Sequence, residues 1–90
     1  MKVVTQITEI EREGLLALIG KKVLVMCMNY FYTGELIGVN DTCIKLKDCH
    51  QVLETGAHTD SKFKDAQWIG DNWYIQTSAI ESFGETTKSC

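Results

Sequence analysis

Two short polar stretches of this 90-residue chain carry side chains able to read the edge of a nucleobase: Asn40-Asp41, and Gln76 much further on. Amides and carboxylates supply paired hydrogen-bond donors and acceptors, which is what a base edge requires. The same residues suit a plainer duty. Asn and Asp tolerate turn geometry and bond their own backbone, so Asn40-Asp41 also reads as a turn and Gln76 as a polar strand end. Lysines come in pairs: Lys21 with Lys22, Lys45 with Lys47, Lys62 with Lys64. The i, i+2 spacing of the last two pairs places each on one strand face, for phosphate contact or for protection of a sheet edge.

Other chemistries find little to work with. Ser78 has no histidine at an informative spacing, no paired acids recur in a motif, and phosphate-binding glycine patterns are absent. Cys49 and His50 are neighbours, but adjacent strand residues point to opposite faces and are poorly placed to share zinc. His58 falls in a polar loop. Neither an enzyme nor a metal or other cofactor is expected. The four cysteines, Cys27, Cys43, Cys49 and Cys90, lie at irregular spacings without a CxxC pair and read as reduced thiols. A net charge of −3 argues against a broadly basic nucleic-acid surface and leaves room for a local one. No apolar run approaches the ~20 residues of a membrane helix. The start, MKVVTQITEIERE, turns acidic before a signal-peptide core forms, so a cytoplasmic protein with no membrane partner is expected.

The elements that must position these residues are legible from apolar spacing. Ninety residues, 44% hydrophobic and 23% charged, make one ordinary globular domain. Thr8 and Glu11 fit a capping box, predicting a helix over about 9–19 that Gly20 stops in the left-handed capping position. A first strand, about Lys21 to Met28, puts Val23, Val25 and Cys27 on one face and Leu24, Met26 and Met28 on the other. Neither face is polar, so the second face must also meet protein, which points to an oligomer. Phe31 to Val39 is the second strand, and its Gly34 and Gly38 mark a bend or a close backbone approach. A third strand starts near Thr42, with Ile44 and Leu46 inward and Lys45 and Lys47 outward, and runs to about Leu53. The polar gap ETGAHTDS, Glu54 to Ser61, is expected to be mobile. Lys62 to Ile69 and Trp73 to Gln76 read as strands around a Gly70-Asp71-Asn72 hairpin turn, with Trp68, Trp73 and Tyr74 clustered beside it. Ser78 to Phe83 is the last strand. A barrel over about 21–83 and a disordered tail over 84–90 complete the domain.

One helix followed by five short, bent antiparallel strands resembles the Sm/LSm-like family, which includes Hfq. The residues that carry the likeness are Val23-Leu24-Val25, Gly34-Glu35-Leu36, Val39, Asn40-Asp41, Ile44, Leu46 and Asp48-Cys49 for the first motif. Ile75-Gln76-Thr77, Ile80 and Phe83 keep the spacing of the second. The family's Asp-x-x-Met-Asn loop and Arg-Gly loop hold a base and its phosphate. Here the first loop reads Asn40-Asp41-Thr42-Cys43, one residue shorter, with Cys43 near the place of the base-binding asparagine. The second reads Gln76-Thr77, without the arginine.

The resemblance implies a mostly β fold: an N-terminal helix, then a small, strongly bent five-stranded antiparallel SH3-like barrel. It implies a homo-oligomeric ring, with Ser78 to Phe83 of one copy pairing with Trp73 to Gln76 of the next. The loops Asn40–Cys43 and Gln76–Ser78 would face a central opening. Weak binding of single-stranded RNA is then expected at Asn40, Asp41, Cys43, Gln76 and Thr77, with Lys45 and Lys47 on phosphates. The alternative is a structural or protein-interaction barrel that has lost RNA binding, which the missing arginine and the acidic balance favour.

Overall fold

The computed structural model describes residues 14–90, and apolar alternation is plainest in its first strand. β1 (Lys22–Cys27) buries Val23, Val25 and Cys27, and turns Leu24 and Met26 to a half-buried second side. β2 (Phe31–Val39) pairs antiparallel with β1 from Lys22↔Glu35 to Met26↔Phe31. β3 (Cys43–Glu54) then pairs with β2 from Val39↔Ile44 to Phe31↔Val52. Leu36, Ile44 and Leu46 join Val23 and Val25 in the core, which Cys49 and Ile75 complete. Full burial of each such aliphatic side chain contributes roughly 1.5–3 kcal/mol. The one buried polar side chain among the described residues, Thr33, donates its hydroxyl to the Val23 carbonyl at 2.8 Å.

The sheet bends where β2 and β3 lose register between Thr33 and Glu35. Gly34 sits at that shift, and a Cβ there would lie 2.8 Å from the Lys47 carbonyl oxygen and 3.3 Å from Cys49 Cα. Opposite it, Asp48 takes a left-handed φ of 53°, which aspartate tolerates better than most residues. The close backbone approach expected at Gly34 is therefore present. A second shift falls between Leu36 and Gly38, where a Cβ on Gly38 would have ordinary room.

The expected hairpin at Gly70-Asp71-Asn72 does not reverse the chain. β4 (Asp65–Gly70) and β5 (Trp73–Gln76) both pair antiparallel with β3, at Cys49↔Gly70 and then Leu46↔Trp73. Asp71 and Asn72 thus span the level at which Asp48 kinks β3, and the two strands bend together. Taken as one bent strand, β4 and β5 make the sheet five-stranded, in the order β4/β5-β3-β2-β1-β6. Ser78 belongs to a 3-10 turn, Thr77–Ala79, and β6 runs Ile80–Glu85, two residues later than expected. Among the described residues, β6 pairs with β1 only, and β4 and β5 with β3 only, so each has one edge without a described partner.

The tail over 84–90, expected to be disordered, makes backbone contacts with β1 and with the polar loop. Thr86 N donates to the Lys22 carbonyl, Phe63 N to the Ser89 carbonyl and Ser89 N to the Ser61 carbonyl. The Lys88 ammonium donates to the carbonyls of Thr55 and Ala57, both at 2.9 Å, and lies 5.1 Å from the Phe63 ring centre. These contacts also join the tail to the polar loop expected to be mobile. Polarity alone could not separate a solvated tail from one whose backbone groups pair with a loop.

At the amino end, one helical turn, α1 (Gly14–Ala17), remains of the expected helix over 9–19; its earlier part lies outside the described residues. Gly20, at a φ of 88°, ends this segment and donates its N–H to the Leu36 carbonyl. No described helix is long and apolar enough to cross a membrane.

Candidate nucleic-acid interface

Pairing between β3 and β5 sets the side chains of the candidate site. Cys43 faces Gln76, Ile44 faces Ile75 and Lys45 faces Tyr74. The two isoleucines are buried, so alternation sends Cys43, Gln76, Lys45 and Tyr74 to the outer face. The β2–β3 turn and the 3-10 turn that follow these strand ends are stitched together. Thr77 N donates to the Thr42 carbonyl at 2.9 Å, and the Thr77 hydroxyl to the Asp41 carbonyl at 3.2 Å.

Between the two turns lies an open groove of about 660 Å³. Asp41, Cys43, Gln76 and Thr77 line it, so four of the residues singled out from the sequence come together. Asn40 does a different job. Its side-chain oxygen accepts from Thr42 N at 2.8 Å, the Thr42 hydroxyl at 3.1 Å and Cys43 N at 2.9 Å. Only the amide NH2 remains for a ligand, and Asn40 holds the turn that shapes the groove. Lys47 stands away from it, opposite Glu35, in a recess with Lys22 and Asp48. Lys45 stays beside the groove, its ammonium 5.5 Å from the centre of the Tyr74 ring.

Three further residues line the groove: Thr42 and Ser78, which fall within the two expected loops, and Tyr74, one of the aromatic cluster beside the Gly70-Asp71-Asn72 turn whose rings suit base stacking or, more often, packing. Tyr74 had a signal, since it lies two residues before Gln76 and so shares its face. The cysteines are all free thiols. Burial pushes the Cys49 thiol up to about 12, with the charges of Asp48 and Cys90 adding to the effect. No three metal-ligating side chains gather among the described residues.

No family model matches the chain, and no curated protein matches it in sequence. Solved structures do match. A heptameric archaeal Sm protein superposes with a TM-score of 0.64 over 80% of this chain and 94% of its own, at 16% identity. This chain has the Sm fold. The P. aerophilum SmAP1 heptamer gives a TM-score of 0.63 at 16% identity, over 80% of this chain and 86% of its own. A Pyrococcus abyssii Sm protein, solved in complex with a uridine heptamer, gives 0.58 at 18% identity, over 80% and 92%. Identities this low carry the Sm fold and leave function to the residues.

Proposed function

We propose that the chain is an Sm-like protein that assembles into a homo-oligomeric ring and binds single-stranded RNA weakly, without catalysing a reaction. The observation that supports this most is the groove between Asp41–Cys43 and Gln76–Ser78, in a fold whose solved examples include heptamers and a uridine complex. Gln76 offers both a donor and an acceptor, the threonine hydroxyls add more of each, and Lys45 supplies the positive charge. The affinity per copy is low for identifiable reasons. Asp41 places a carboxylate in the groove, no arginine lines it among the described residues, and the Asn40 oxygen is already engaged. Several grooves acting on one strand raise the overall affinity without any new contact.

Binding of uridine-rich and adenine-rich single strands at low salt tests this reading. Gln76→Ala removes one base contact and weakens binding about fivefold, equivalent to ~1 kcal/mol for a hydrogen bond, while the oligomer persists. Asn40→Ala weakens binding too, through the turn. If neither strand binds at low salt while the assembly is intact, RNA binding is lost from this fold. The engaged Asn40 oxygen and the missing arginine then favour the structural or protein-interaction barrel.

A further inference from the structure

Tyr74 is the least explained residue of the groove. It is 60% exposed, although a large aromatic ring on a four-residue strand has an apolar core close by to enter. Strand parity forbids that entry, because its neighbour Ile75 takes the inward position. The ring instead forms a wall of the loop groove, together with Asp41, Thr42, Cys43, Gln76 and Thr77. It also borders a second cavity, of about 470 Å³, shared with Met28, Tyr30, Tyr32 and Trp73. Its cross-strand partner Lys45 holds an ammonium 5.5 Å from the ring centre. Among the described residues the ion pairs are Lys21 with Glu85 and Lys64 with Glu54, so the Lys45 charge is not neutralised by a carboxylate.

We propose that Tyr74 is the stacking platform of the groove, taking the flat face of one nucleobase of a single-stranded RNA while Lys45 meets a neighbouring phosphate. This rests on the RNA-binding reading above and adds a residue that the reading does not need. A base has two recognisable parts, an edge and a π-face. Gln76 and the turn can serve the edge, but among the described residues no other groove-lining side chain is aromatic. Stacking on tyrosine is tolerant of base identity, so the groove has a means of holding bases whose edges it reads poorly. Lys45 beside the ring combines the two features of single-strand sites: a π surface for the base and a cation for the backbone.

The test measures binding of uridine-rich and adenine-rich strands to the assembled protein and its variants across a salt series. Tyr74→Leu should weaken binding of both strands by about tenfold, and Tyr74→Phe, which keeps the ring, should bind within about twofold of the original. Because Tyr74→Leu removes no charge, its salt dependence should stay unchanged. Lys45→Gln should flatten the slope of log affinity against log salt by about 0.7 for each contacted phosphate. Photocrosslinking of a halogenated-uridine strand to the unmodified protein gives a reading independent of how the variants fold, with attachment expected at Tyr74. If the protein binds RNA but Tyr74→Leu binds equally well, or crosslinks map only elsewhere, the stacking role is overturned while the RNA-binding function stands. If the intact assembly binds neither strand, both fail together.

Discussion

Cys27 and Cys49 lie in the core, whereas Cys43 is half-exposed and Cys90 faces solvent, so one polypeptide carries thiols of two kinds. A thiol reagent should modify Cys43 and Cys90 in the folded protein and reach Cys27 and Cys49 only on unfolding, as mass spectrometry of the labelled chain would show. The same burial has a pH consequence. Cys49 keeps its proton to about 12 when folded, yet releases it near 9.0 when unfolded, so folding holds a proton that the unfolded chain gives up. The stability contributed is complete below 9.0 and is lost as pH rises toward about 12. Burial raises Cys27 in the same direction. Denaturant midpoints should therefore fall on the alkaline side of 9.0, and Cys49→Ala should flatten that fall. Residue types alone left the site half-read. Turn formation and base recognition both ask for asparagine, and only the hydrogen bonds around Asn40 separate the two uses. Lys45 and Lys47 share strand parity, but the kink at Asp48 and pairing with Glu35 take Lys47 to a different recess.

Strand β1 was legible because it buries alternate residues, and β3 because it does so at Ile44 and Leu46 before its kink; β2, which buries the adjacent Thr33 and Gly34, was legible from the turns that flank it. The β4–β5 junction was not, for a physical reason. Gly-Asp-Asn suits a reversal and also suits a kink in a strand that continues, and the choice depends on where β3 bends, many residues away. The tail was illegible on similar grounds. Its partners are backbone carbonyls at 22, 55, 57 and 61, which no side-chain pattern advertises. Lys88 is the centre of that strap, since it bonds the Thr55 and Ala57 carbonyls and covers the ring of Phe63, which is only 3% exposed. Lys88→Ala should lower stability by about 2 kcal/mol, the sum of charge-assisted hydrogen bonds and a cation–π contact less what water restores. Urea midpoints would report the loss. Limited proteolysis should at the same time cut faster within residues 55–62, because the loop loses its clamp.

For the whole molecule, the open edges decide the behaviour expected in solution. Among the described residues, both β5 and β6 have one side without a paired strand, and an uncovered edge seeks another strand. Phe83 carries the same message in side-chain form. It sits across from the fully buried Val25, yet 41% of it is exposed, because nothing among the described residues pairs with the far edge of β6. Trp73 and Tyr30 are exposed as well, and Met28 at the β1–β2 turn is 85% exposed. In the proposed ring, β6 of one copy continues the sheet at β5 of the next, and the repeated head-to-tail contact closes on itself. That arrangement covers both edges and removes Phe83 from water at every junction. The protein should then scatter light at micromolar concentration as an assembly several times its 10.2 kDa monomer, and should do so after nuclease treatment. Phe83→Asp places a charge at each junction, where burial without a partner is costly, and should shift the population to monomers. Its far-ultraviolet spectrum should keep the strand signature, since Phe83 lies outside the buried core. A monomer from the unmodified chain at micromolar concentration would remove the ring from the proposed function and leave each RNA groove to act alone.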